Sequence, residues 1–134
     1  MSTFDSLNTC ASALTAQRLR MDTIASNLAN ANTTRTPHGG PYRREMVVFE
    51  SKPANRPGMP TTGVHVAGIL EDQTPFKRVY DPEHPDADSQ GYVSYPNVNP
   101  VTEMTDMISA TRSYEANITV VQAIKASASK ALEI

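Results

Sequence analysis

Residues 7–31 read LNTCASALTAQRLRMDTIASNLANA, and this stretch decides the fold. Its apolar side chains, Leu7, Cys10, Leu14, Met21, Ile24, Leu28 and Ala31, fall three and four residues apart, with Gln17 as the one polar interruption. Leu7, Leu14, Met21 and Leu28 recur every seventh residue, the spacing of a coiled-coil-like seam. Ser2 and Asp5 offer a capping pair ahead of the first turn. Asn27, Asn30, Asn32, Thr33 and Thr34 weaken helix propensity at the far end, because their short polar side chains compete for the backbone. The stretch predicts a long amphipathic helix that needs something to cover its apolar stripe.

A matching segment stands at the other end of the chain. Asn99 is a suitable N-cap, and Pro100 falls at the first helical position, where a missing N–H does no harm. The stripe that follows runs Met104, Met107, Thr111, Tyr114, Ile118, Val121, Ala128 and Leu132, with Lys125 spoiling one seam position. Glu103 and Asp106 lie near the start and Lys125 and Lys130 near the end, each sign suited to the helix dipole. Two helices of roughly 30 residues would each be about 45 Å long at about 1.5 Å per residue. Matched lengths suggest a coiled-coil-like hairpin. A hairpin buries only one stripe of each helix against the entropy of ordering both, so these helices are expected to pack against other copies.

Between them the chain changes character. All 6 Gly and all 10 Pro lie from Pro37 to Pro100. Helix breakers are therefore excluded from both ends. Met46 to Phe49, Gly63 to Leu70, Phe76 to Tyr80 and Tyr92 to Tyr95 read as short strands, and 52–61, with Pro53, Pro57, Gly58 and Pro60, as an exposed loop. The expected class is mainly α with a small β module. Residues 1–36 and 99–134 form the N- and C-terminal helices of one inner core domain, and 37–98 the β-rich middle.

Composition and motifs argue against chemistry. The net charge is −2, with no basic stripe interleaved with aromatics, so neither nucleic acid nor an anionic membrane is an expected partner. Residues 1–14 lack a basic region and a continuous apolar run, so export, if it occurs, uses no cleaved signal. Nothing approaches the ~20 apolar residues that span a bilayer. Asp86-Ala87-Asp88-Ser89-Gln90-Gly91 imitates the start of a calcium loop but carries Gln90 and Asn97 where carboxylates belong. His38, His65 and His84 have no partner at metal-ligand spacing, and Cys10 sits on a helical seam. Gly39-Gly40 lacks the Lys-Ser/Thr of a phosphate loop. No catalytic, cofactor or metal residue is expected.

Two strings carry a family resemblance. Asn27-Leu28-Ala29-Asn30-Ala31-Asn32-Thr33, after an amphipathic helix, resembles the N-terminal signature of flagellar axial proteins, the rod, hook and hook-associated subunits. Asn97-Val98-Asn99, Glu103-Met104-Thr105-Asp106-Met107-Ile108 and Arg112-Ser113-Tyr114-Glu115-Ala116-Asn117 resemble their C-terminal signature. Gly39-Gly40-Pro41-Tyr42-Arg43-Arg44, Tyr80 through Ala87 and Gly91-Tyr92-Val93 are similar to the proximal members of the basal-body rod protein family, so the likeness covers nearly the whole chain.

The resemblance implies a non-enzymatic subunit of the flagellar basal body that self-assembles into a helical tube. That tube crosses the periplasm, transmits torque and surrounds the export channel. It implies as partners other copies, other proximal and distal rod subunits, a junction protein linking the rod to the membrane ring, and the flagellar export apparatus. The expected assembly seam is Leu7, Leu14, Met21, Ile24, Leu28, Met104, Met107, Tyr114, Ile118, Val121 and Leu132. Neighbour selection is expected of Tyr42, Arg43, Arg44, Tyr80 and Tyr92, since Tyr and Arg supply directional contacts. The rival reading is a soluble coiled-coil adaptor or export chaperone, which needs no Pro-rich β module.

Overall fold

A computed structural model describes residues 2–53 and 63–134 of the chain. The expected loop over 52–61 lies, from residue 54 onward, outside the described residues. Helix α1 spans Thr3–Ala29 and α2 spans Pro100–Leu132, with four strands among the described residues between them: β1 (Glu45–Ser51), β2 (Val64–Glu71), β3 (Lys77–Tyr80) and β4 (Tyr92–Tyr95).

The helix ends form where the side chains require. Ser2 Oγ accepts the Asp5 N–H while the Asp5 carboxylate accepts the Ser2 N–H at 2.9 Å, a reciprocal capping box. Those contacts hold the Asp5 carboxyl below its usual pKa. At the far end the chain leaves the helix at Asn30, whose Nδ2 donates to the Ser26 carbonyl and whose Oδ1 accepts the Thr33 hydroxyl. Asn99 caps α2, its Oδ1 accepting from the Val101 and Thr102 N–H groups ahead of the Pro100 start.

The helices run antiparallel and pack side by side: Asn27 meets Glu103 near one end, and the Thr111 hydroxyl reaches Met21 Sδ at 3.6 Å further along. Ile24 and Ala110 are buried. The strands form two separate two-stranded antiparallel ribbons, β1–β2 and β3–β4. The first lies against α1, where Ser12 Oγ accepts the Val64 N–H at 3.1 Å. Gly63 is required at that contact: a Cβ there would stand 2.5 Å from Ser12 Oγ, and its φ is +134°. Val48 pairs with Gly68 and Phe49 with Val66, so Ala67 is the extra residue of a bulge. Among the described residues only Ala16, Ile24, Val93 and Ala110 are buried hydrophobic side chains, a thin core for this length. Among the described residues no helix is long and apolar enough to cross a membrane.

Candidate functional site

Among the described residues the densest set of tertiary hydrogen bonds joins the helix pair to the β ribbon. Asn27, 1% exposed, satisfies its whole amide there. Its Oδ1 accepts the Glu45 N–H at 3.0 Å and the Tyr42 hydroxyl at 2.9 Å, while its Nδ2 donates to the Glu45 carbonyl at 2.9 Å and to Glu103 Oε2 at 3.1 Å. The side chain thus exchanges both backbone bonds with Glu45, as a neighbouring strand would. Asn97, just ahead of α2, holds the adjacent residue: its Oδ1 accepts the Arg44 N–H at 2.8 Å and its Nδ2 donates to the carbonyls of Asp72 and Thr74.

Arg44 closes the clasp. Its Nε donates to Glu103 Oε1, its Nη1 donates to Asp72 Oδ2 at 3.3 Å, and its Nη2 lies 3.7 Å from Asp106 Oδ2. Glu103 is wholly buried, which is tolerable for a carboxylate only because a guanidinium and an amide meet it. Burial pulls the Arg44 pKa down, but Glu103 and Asp72 outweigh that and leave it raised. The Thr74 N–H and hydroxyl, then Arg44, lower the Asp72 carboxyl. Burial above all pushes the Tyr42 phenol up.

A second tie crosses the acidic loop. Asp86 accepts the Thr34 hydroxyl at 2.8 Å and the Arg35 Nε at 2.8 Å, and Thr34 first, then Arg35, lowers its pKa. Asp88 accepts the Gln90 and Tyr92 N–H groups and Arg78 Nη2, which depress it, the Tyr92 contact most. The turn closes at Gly91, φ +84°, where a Cβ would stand 2.9 Å from the Tyr80 ring. The segment that imitates a calcium loop is therefore an internally bonded turn. Among the described residues no three His, Cys, Asp or Glu side chains converge as metal ligands.

Of the expected seam, Ile24 is buried and Leu7, Leu14, Met21, Leu28, Met107, Tyr114, Ile118 and Val121 are half-buried. Met104 and Leu132 stand outside the contact between the two helices, 55% and 88% exposed. The inward position near the start of α2 belongs to Glu103, about 100° around the helix from Met104. Leu132 lies past the end of α1 in the antiparallel register. The expected neighbour contacts divide as well. Tyr42 and Arg44 are engaged in the clasp, and Arg43 donates to the Asp72 carbonyl and lies 4.2 Å over the Phe76 ring. Tyr80 and Tyr92 remain exposed, edge-on to each other at 5.3 Å. The signature residues Ala29 and Asn32 are exposed, and Asn117 donates to the Ser113 carbonyl within its own helix. Sequence reading placed Asn27, Asn97 and Glu103 in the family signature without assigning them a contact, gave Glu103 beyond that only a dipole role, and did not single out Asp72. The available signal was a carboxylate one residue from an apolar stripe in a chain with a spare arginine.

Two surfaces face outward without partners among the described residues: Val101, Met104 and Ile108 on α2, and Met46, Val48 and Leu70 on the β1–β2 ribbon.

An antiparallel pair of terminal helices, clasped to a small β insert and carrying open apolar faces, describes a structural subunit, and the comparisons agree. Residues 7–35 match the family model "Flagella basal body rod protein", and residues 89–134 match "Flagellar basal body rod FlgEFG protein C-terminal". The chain belongs to the flagellar basal-body rod protein family, whose members are structural and not enzymes. Within that family it is similar to the flagellar basal-body rod protein FlgC of Bacillus subtilis (strain 168), with 49% identity over 148 aligned positions that cover 100% of this chain and 99% of the relative. FlgC of Borreliella burgdorferi is 48% identical over 100% of this chain and 98% of its own length, and FlgC of Escherichia coli O6:H1 49% identical over 92% and 90%.

Proposed function

We propose that the chain is a structural subunit of the proximal rod of the bacterial flagellar basal body, polymerising through its coiled-coil-like pair of terminal helices into a helical tube that transmits torque and surrounds the export channel. The observation that carries this reading is the open stripe of Val101, Met104 and Ile108, spaced i, i+3 and i+7 on α2 and turned away from α1. Contiguous apolar surface on a chain with so small a core is surface that another subunit covers. Other copies, other rod subunits and the junction protein that ties the rod to the membrane ring are its partners. The rod crosses the periplasm, and the subunit reaches it through the flagellar export apparatus without a cleaved signal. In this reading the middle module decides which neighbour is accepted, with Tyr80 and Tyr92 as its exposed aromatic contacts.

Ile108→Asp tests the assembly surface. Because Ile108 lies outside the contact between the helices, the variant is expected to keep its helix content by circular dichroism yet fail to form large particles by light scattering. Assembly at the unchanged concentration would place the contact on another face.

A further inference from the structure

Resting on the polymerisation reading, we infer that the open stripe of α2 in one copy docks on the outward face of the β1–β2 ribbon in the next. The two surfaces match in length and are complementary in charge. Along β1, Met46, Val48 and Glu50 point outward at every second residue, about 6.6 Å apart. Along α2, Met104, Ile108 and Arg112 recur every fourth residue, about 6 Å apart. Laid side by side, Met104 meets Met46 and its cross-strand partner Leu70, Ile108 meets Val48, and Arg112 meets Glu50. Gly68, opposite Val48, has open space where a Cβ would stand, which leaves a recess beside Val48 for the Ile108 side chain.

The charges give the pairing its direction. Glu50 is 64% exposed and meets only His65, at 3.4 Å, among the described residues. Arg112 is exposed and makes no ion pair among them. Glu115, one turn further along α2, falls beside His65, the cross-strand partner of Glu50. In the reverse direction Arg112 would sit beside Met46 and Leu70 and face no outward carboxylate of β1. A helix face meeting a sheet face is a heterologous contact, so each copy carries both halves and the series extends beyond a dimer, into a ring or a helix as its rotation dictates.

The test uses the full chain with Cys10→Ser as background. Val48→Cys and Ile108→Cys are introduced singly and together, and a short bismaleimide is added at a concentration where particles form. The double variant should give a ladder of dimers, trimers and higher species on a denaturing gel, and each single variant should stay monomeric. Particles by light scattering without a ladder would overturn this docking while leaving polymerisation standing. The absence of particles from the Cys10→Ser parent would overturn both. Charge reversal is the independent arm: Arg112→Glu or Glu50→Arg should raise the concentration for half-assembly by about tenfold, and the two together should restore it. Additive losses without restoration would remove the Arg112–Glu50 contact and the register built on it.

Discussion

The clasp at Asn27 makes a quantitative claim that two substitutions at one position can check. Asn27→Ala removes four hydrogen bonds at once and leaves the N–H and C=O of Glu45 without their partner. A buried polar group left unsatisfied costs about 1–3 kcal/mol, and Tyr42 keeps a nearby partner in Ser26 at 3.4 Å, so a loss of about 2–4 kcal/mol is expected. Asn27→Asp preserves the shape and the acceptor but sets a second carboxylate about 3.1 Å from Glu103. At an effective dielectric constant of ~20 that repulsion approaches about 5 kcal/mol if both groups stay ionised. The pair avoids it by retaining one proton, which raises one of the two pKa values.

The sign of the pH dependence follows from that proton. A carboxyl whose folded pKa lies above its unfolded value binds the proton more tightly when folded, so stability rises as pH falls toward the unfolded carboxylate range. Urea unfolding followed by far-ultraviolet circular dichroism should therefore rank wild type above Asn27→Ala and Asn27→Ala above Asn27→Asp at pH 7. The gap between the two variants should narrow toward pH 5. Equal stability of the two variants at every pH would mean that Asn27 and Glu103 are not in contact.

Three further outcomes are expected. Asp86 has a lowered pKa through Thr34 and Arg35, so its tie is fully present above about pH 4, the unfolded aspartate value, and is lost as pH falls below it; Asp86→Asn should flatten the acid limb of a stability–pH curve. Glu83→Ala should leave thermal stability unchanged, whereas Asp88→Ala, which removes the acceptor for two turn N–H groups and Arg78, should lower the protection of the Tyr92 amide in hydrogen exchange. Leu14→Asp or Val121→Asp, on half-buried positions of the two helices, should cost several kcal/mol and unpair the helices, seen as lost helix content together with lost assembly.

The sequence disclosed what depends on near neighbours. Both helices, their caps at Ser2 and Asn99, and the four strands were legible because capping spacing, apolar period and breaker placement act within a few residues. Strand limits moved by one or two positions: β1 reaches from Glu45 to Ser51, where apolar content alone marked Met46 to Phe49. The clasp was not legible, because its members lie far apart. Asn27 and Glu103 are separated by 76 residues, and Arg44 and Glu103 by 59. Apolar periodicity assigns a glutamate to the solvent side, and only a partner delivered by the tertiary fold turns Glu103 inward. The same exchange displaced Met104 from the helix contact and withdrew Arg44 from the surface expected for it.

The polar character of that junction has a consequence for what the subunit presents outward. A two-stranded ribbon has an open edge on each side, and apolar packing alone would tolerate a slip along it. Slipping β1 by one residue reverses every side chain, turning Met46 and Val48 toward α1 and Val47 and Phe49 outward. Asn27 occupies the edge of β1 at Glu45, and Asn97 holds Arg44, so two adjacent backbone residues are fixed from two separate elements. A slip would break those bonds together and pull the Arg44 guanidinium from Glu103, leaving a buried carboxylate without its cation. The free energy opposing a slip is therefore concentrated in a few directional contacts rather than spread over a greasy surface. The outward face of β1 is set by an amide at the end of one helix and a carboxylate at the start of the other, so it depends on the pairing of the two terminal helices.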